Sequence, residues 1–168
     1  MTGKTHAAFG ILLGTAYALN TTHDIGTSAV IIGTTGVFSI LPDICHSGSK
    51  VGKEFKLLSR LINFFFGHRT ITHSLLFMAV IAVVMTLINI DFTYIICAMI
   101  GIASHILLDM MTPRGVALFF PIDFKITTPI TFKTGGVLDL SLATTFSVLT
   151  AYLIYTEMFH RTVDWIHL

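Results

Sequence analysis

The stretch SLLFMAVIAVVMTLINIDFTYIICAMIGIASHILLDMM occupies residues 74–111. It holds two apolar runs, 74–90 and 92–111, with Asp91 as the sole charge at their junction. Crossing the hydrocarbon core of a bilayer takes about 20 apolar residues as a helix. A single charged residue between two such runs leaves room only for a tight turn. The pair therefore reads as a helical hairpin in a membrane.

Three more apolar runs lie outside it, at residues 7–19, 26–41 and 140–159. The first is short and must borrow its flanks to span. It lacks a convincing cleavage site and reads as a retained helix. The second is rich in small residues, which let membrane helices approach closely. The whole chain of 168 residues is 54% hydrophobic and only 11% charged. A soluble domain carries about a quarter charged residues, so a water-facing surface is excluded. The expected fold is all-α: one integral-membrane domain over residues 1–168, with about five transmembrane helices. Cys45 and Cys97 lie in different segments and form neither a disulfide framework nor a redox motif. The net charge of +1 gives no reason to expect a nucleic-acid partner.

Charge sets the expected orientation. Five spans put the N-terminus and the loops 42–73 and 112–139 on one side. Of the ten Lys and Arg residues, only Arg161 falls on the other. Positive residues mark the cytoplasmic side. The expectation is a multi-pass protein of the bacterial cytoplasmic (inner) membrane, with its N-terminus inside and its C-terminus outside. Residues 52–67, GKEFKLLSRLINFFFG, place Phe55, Leu58, Ile62 and Phe65 at helical spacing, with Lys53, Lys56 and Arg60 between them. That pattern predicts an amphipathic helix on an anionic leaflet. Residues 115–124 are apolar but too short to span, and would dip into the interface or cover a cavity.

The polar residues cluster. His6 opens the first helix. Asp43 and His46 follow the second, in LPDICH. His68 and His73 precede the third, in HRTITH. His105 and Asp109 close the fourth. Topology delivers all of them to one level of one leaflet, whereas chance would scatter them over both. His105 and Asp109 are four apart and share a helix face. Pro42 holds Asp43 at a helix exit. Imidazole with carboxylate suits zinc first, with manganese or iron as alternatives, whereas calcium or magnesium prefers oxygen alone. A cation also relieves the cost of burying such groups near lipid.

Each residue taken singly has a plainer reading. His6 can be an ordinary helix-start residue, and Asp43 a carboxylate paired with Lys50 or Arg69. His46 can be solvated, His105 and Asp109 a hydrogen-bonded pair, and Arg69 a membrane anchor. Only the one-sided clustering of all of them favours a shared ion. His23, His160 and His167 lie on the other side and receive no role, and Cys97 reads as packing.

These motifs resemble one known family. Thr5–His6, LPDICH, GHRTITHSLL from Gly67, HILLDMMTPRG from His105 and the FFP ending at Pro121 are similar to the YdjM-like (DUF457) membrane-bound metal-dependent hydrolases. The resemblance covers most of the chain in the family's order. It implies a multi-helix inner-membrane protein with a metal-dependent hydrolase site, distantly similar to the zinc-dependent phospholipases C. The family often has LPDIDH where this chain has Cys45. There Cys45 either ligates as a thiolate or leaves the site one ligand short.

The expected site follows. His6, Asp43, His46, His68, His73, His105 and Asp109 are the candidate ligands, for one or two divalent ions. Asp43, Arg69 and Arg114 are the candidate catalytic groups, the arginines through the planar fork that suits phosphate. Thr112 would hydrogen-bond a ligand carboxylate. The location suggests a phosphoester substrate, such as a phospholipid or a lipid-linked phosphate at the cytoplasmic leaflet. Two other classes remain. One is an inactive protein whose metal staples helix ends as a platform for a protein partner. The other is a metal-ion or proton transporter, which ordinarily places ionisable groups near the midplane.

Overall fold

A computed structural model describes residues 1–46, 48–66, 70–122 and 124–166, with the backbone alone at 50, 51, 58, 62, 63, 65, 66 and 160–166. Its helices are α1 (Gly3–Thr21), α2 (Ile25–Ile40), α3 (Lys50–Glu54), α4 (Lys56–Phe66), α5 (Leu75–Leu87), α6 (Phe92–Met110) and α7 (Val137–Ile166). Short 3-10 turns at Leu41–Cys45 and Ile71–His73 complete the order. Among the described residues the only β pairing is an isolated bridge between Val116 and Ile126. The all-α expectation holds.

Local chemistry explains the starts of the helices. Asp24 accepts from the Thr27 N–H at 2.6 Å and begins α2. Asp91 accepts from the Thr93 N–H at 2.8 Å and begins α6 directly after the predicted tight turn. These bonds hold both exposed carboxyls below their ordinary range. Ser74 caps α5 through the Phe77 N–H at 3.2 Å, a contact of the kind worth about 1 kcal/mol.

Among the described residues, three segments are long and apolar enough to cross a membrane: Ile25–Cys45, Phe92–Met110 and Val137–Phe159. Helix α5 is apolar but has 13 residues, roughly 20 Å at 1.5 Å per residue. That is less than the hydrocarbon thickness, so three of the five expected spans meet the length and composition of a crossing by themselves. Residues 52–66 of the predicted amphipathic stretch do not form one continuous helix, and Gly67 lies outside the described residues. The stretch breaks at Phe55 into α3 and α4.

Packing centres on α2. Helix α1 lies against it where Gly14 meets Thr35, so that a Cβ at Gly14 would sit 2.9 Å from the Thr35 Cβ. Helix α6 lies on another side, where a Cβ at Gly101 would come 2.6 Å from the Thr35 carbonyl oxygen. One apolar cluster joins Ile102, Ile106 and Val116 to Phe38, Phe77 and Met110. Another joins Ala18, Ile31 and Cys97, which makes Cys97 a packing residue as expected. Helix α7 packs on α1, with Phe9 and Phe146 rings 4.7 Å apart.

The segment after α6 is irregular and ties the ends together. Thr128 and Phe132 donate their N–H groups to the Met110 and Met111 carbonyls at 2.9 and 2.8 Å. These bonds satisfy the orphan acceptors at the C-terminus of α6. The Leu118 carbonyl accepts from the Leu75 N–H at 3.0 Å, anchoring the start of α5. Gly115 has φ +61°, and a Cβ there would meet the Ile126 carbonyl oxygen at 2.7 Å.

Candidate metal centre

The alternation of the helices brings the first turn of α1, the exit of α2, the entry of α5 and the last turns of α6 together. His6, His73, His105 and Asp109 are all fully buried there. Asp43 lies at their edge, with 16% of its side chain exposed. His6, His105 and Asp109 form one group whose ligand atoms lie within 4.8 Å of one another. Asp43, His73 and His105 form a second.

The hydrogen bonds orient the rings. The Nδ1–H of His105 donates to the Ser39 carbonyl at 2.7 Å. A carbonyl only accepts, so in the neutral ring the Nε2 lone pair faces inward. That Nε2 stands 3.0 Å from His73 Nε2. The Thr72 hydroxyl lies 3.0 Å from the other nitrogen of His73. His6 stacks on His105, with centroids 3.7 Å apart and planes at 13°.

The separations discriminate between two chemistries. His6 Nε2 is 3.2 Å from Asp109 Oδ1, and His73 Nε2 is 3.3 Å from Oδ2. His105 Nε2 lies 3.7 Å from Asp109 Oδ2 and 3.8 Å from Asp43 Oδ1. Hydrogen bonds from nitrogen to oxygen end near 3.2 Å. Neighbouring ligand atoms of a tetrahedral zinc, at about 2.0–2.1 Å from the ion, lie roughly 3.3 Å apart. The 3.2 and 3.3 Å separations equal such an edge, and the 3.7 and 3.8 Å separations are too long for direct hydrogen bonds. His6 adds a second observation. Neither of its ring nitrogens has a hydrogen-bond partner among the described residues, although Nε2 lies 3.2 Å from Asp109 Oδ1. A buried, unsatisfied imidazole costs on the order of 1–3 kcal/mol, and a cation would recover it. The residues present therefore fit a divalent ion. The amino group of Met1 also meets Asp109 Oδ1.

The other candidates sort as follows. His46 is exposed at the end of its turn and belongs to neither group. The plainer reading of His46 as a surface residue fits that position. Cys45 is buried in the same turn as Asp43 and belongs to neither group. Thr112 is buried, and its hydroxyl donates to the Asp109 backbone carbonyl at 2.8 Å. Its bond thus reaches the ligand residue through the main chain. Arg114 is exposed just past α6. His68 and Arg69 lie outside the described residues.

Asp139 escaped the reading of the sequence. It is fully buried in the first turn of α7. Its carboxylate accepts from the Thr5 hydroxyl, from the Thr2 N–H at 3.0 Å and from the Gly135 N–H at 2.7 Å. It thereby holds the N-termini of α1 and α7 together, where a carboxylate complements both helix dipoles. Thr5 is the residue before His6, so this bond helps to set the His6 wall. A lone Asp at the start of an apolar run gives no sign of a partner 134 residues earlier.

Comparison with known proteins agrees with this architecture. Residues 1–163 match the family described as YdjM inner membrane protein. The chain is 37% identical over 161 residues to the Bacillus subtilis (strain 168) protein named "Uncharacterized protein YvsG", covering 95% of this chain and 98% of that one. It is 39% identical over 104 residues to the inner membrane protein YdjM of Escherichia coli (strain K12). That match takes in 58% of this chain and 52% of the relative. The Shigella flexneri inner membrane protein YdjM matches to the same extent. No solved structure matches.

Proposed function

This chain belongs to the YdjM inner membrane protein family, and we propose that it is a membrane-embedded metal-dependent hydrolase. The observation that carries the proposal is the convergence of His6, His73, His105, Asp109 and Asp43 at one end of the helices. The proposed substrate is a phosphoester at the cytoplasmic leaflet, a phospholipid or lipid-linked phosphate. The proposed ion is zinc, in the inner membrane of a bacterium, with the N-terminus inside.

His6, His73, His105 and Asp109 would hold the ion, with Asp43 at the accessible edge. A divalent ion there supplies Lewis acidity toward an ester oxygen and a nucleophile at neutral pH. The chain's own residues do the rest. The Ser39 carbonyl keeps the His105 lone pair aimed inward. Full burial of four of the five groups excludes bulk water. Asp43, partly exposed, would take a proton from an incoming water. Arg114, exposed just past α6, would meet a phosphate charge.

A second reading has its own observation. Structural metal sites are closed, and catalytic ones keep a position open. Only Asp43 among the five reaches solvent, which also suits an ion that staples four helix ends. The deciding experiment assays purified protein on phospholipid and soluble phosphodiesters, beside the Asp43→Asn variant. Hydrolysis lost in Asp43→Asn with the metal retained supports catalysis. Stoichiometric metal with no turnover of any phosphoester supports the staple.

A further inference from the structure

Helix α4 has two faces. Leu57, Leu61 and Phe64 are 74, 46 and 83% exposed, whereas Ser59 is fully buried. At about 100° per residue the three exposed side chains fall within roughly 60° of one another, and Ser59 lies on the opposite side. The helix packs on the Leu41–Cys45 turn that carries Asp43. Its apolar stripe therefore points away from the protein. Lys56 and Arg60, each one residue before a stripe leucine, are exposed along one flank, and Lys53 of α3 is exposed too.

A second element at the same end repeats the pattern. The segment after α6 exposes Phe119, Ile122 and Phe124 beside the exposed Lys125. Its Leu118 carbonyl holds the N–H of Leu75, so it lies at the entry of α5, where His73 sits. Two apolar stripes edged with basic residues thus occupy one level of a membrane protein, at the end of the Ile25–Cys45 span. Apolar side chains with cations beside them match acyl chains topped by anionic headgroups.

We propose that α4 is a lipid-binding arm that inserts Leu57, Leu61 and Phe64 into the leaflet and gathers anionic headgroups on Lys53, Lys56 and Arg60, beside the mouth marked by Asp43. The proposal goes beyond the hydrolase reading, because an inactive metal staple would use the same arm. The arm sets which lipids crowd the mouth.

The test uses full-length protein carrying Phe64→Cys or Leu57→Cys, labelled with an environment-sensitive fluorophore. The native Cys45 and Cys97 are buried, and unsubstituted protein gives the background. Each labelled protein is reconstituted in phosphatidylcholine vesicles with and without phosphatidylglycerol. The expected result is blue-shifted emission shielded from aqueous iodide, stronger with phosphatidylglycerol and weakened by salt. Each Lys56→Gln or Arg60→Gln change should lower the phosphatidylglycerol preference about fivefold. A label open to iodide in both vesicles, at both positions, overturns the proposal. So does equal shielding with and without phosphatidylglycerol. A shift that appears only as protein concentration rises assigns the stripe to a second copy and also overturns it. The readout involves neither metal nor hydrolysis, so its failure and that of the hydrolase reading are separate.

Discussion

The Nδ1–H of His105 donates to the backbone carbonyl of Ser39 across 2.7 Å. This bond joins α6 to the last turn of α2 and fixes which nitrogen of His105 faces the cluster. It exists because two helices approach unusually closely one turn earlier, at Gly101. The geometry of the candidate centre is thus a consequence of helix packing, and packing variants should report on it.

Gly101→Ala tests that dependence. The new Cβ would lie 2.6 Å from the Thr35 carbonyl oxygen and 2.9 Å from the Ser39 nitrogen. Both are backbone atoms and cannot swing aside. The expected loss is about 1–3 kcal/mol of stability, together with weaker metal binding as His105 leaves Ser39. Thermal unfolding in detergent checks it beside Gly33→Ala, where a Cβ meets nothing within 4 Å. Equal melting of the two variants would refute the coupling.

Asp139→Ala should act on the same centre from the other side. It removes the acceptor of the Thr2 and Gly135 N–H groups and leaves the Thr5 hydroxyl only the Asp139 backbone carbonyl and the Thr2 hydroxyl. A donor left without an acceptor costs about 1–3 kcal/mol when buried, and less at the part-buried Thr2 and Gly135. Limited proteolysis should cut near the start of α7 faster, and zinc titration should show weaker binding because His6 follows Thr5. Unchanged proteolysis would confine Asp139 to a passive role.

Cys45→Asp introduces a second carboxylate beside Asp43, as the resemblance to the family suggests for this position. Without an ion, a buried carboxylate is costly. The variant should melt below the parent in chelator and recover the difference when zinc is added. A deficit that zinc does not reduce would place position 45 outside the reach of the ion.

Chelation of the parent protein should lower its melting temperature. An ion that binds only the folded state contributes about 2.7 kcal/mol when free metal is a hundredfold above its dissociation constant. Differential scanning fluorimetry with and without a chelator measures this. The shift should vanish in His105→Gln.

Much of this was legible in the residues. The His105–Asp109 spacing is a helical period, and Pro42 marks where α2 must end, so both predict convergence without coordinates. The positions of His73 and Asp43 follow from helix order alone. Other features depend on contacts that no local pattern carries. Asp139 meets Thr5 only because α7 returns beside α1. The Ser39 carbonyl matters only because Gly101 admits α2. His46 has the chemistry of a ligand but sits at the exposed end of its turn. The break at Phe55 interrupts a helical pattern that runs unbroken in sequence.

The most direct test of the central claim is the metal content of purified protein by elemental analysis, for the parent and for Asp109→Asn. Asp109 is the residue whose two oxygens face His6 on one side and His73 and His105 on the other. The account predicts a stoichiometric divalent metal, zinc foremost, in the parent and its loss in a folded Asp109→Asn protein. A folded parent without metal after incubation with zinc, or equal metal in both proteins, would contradict it.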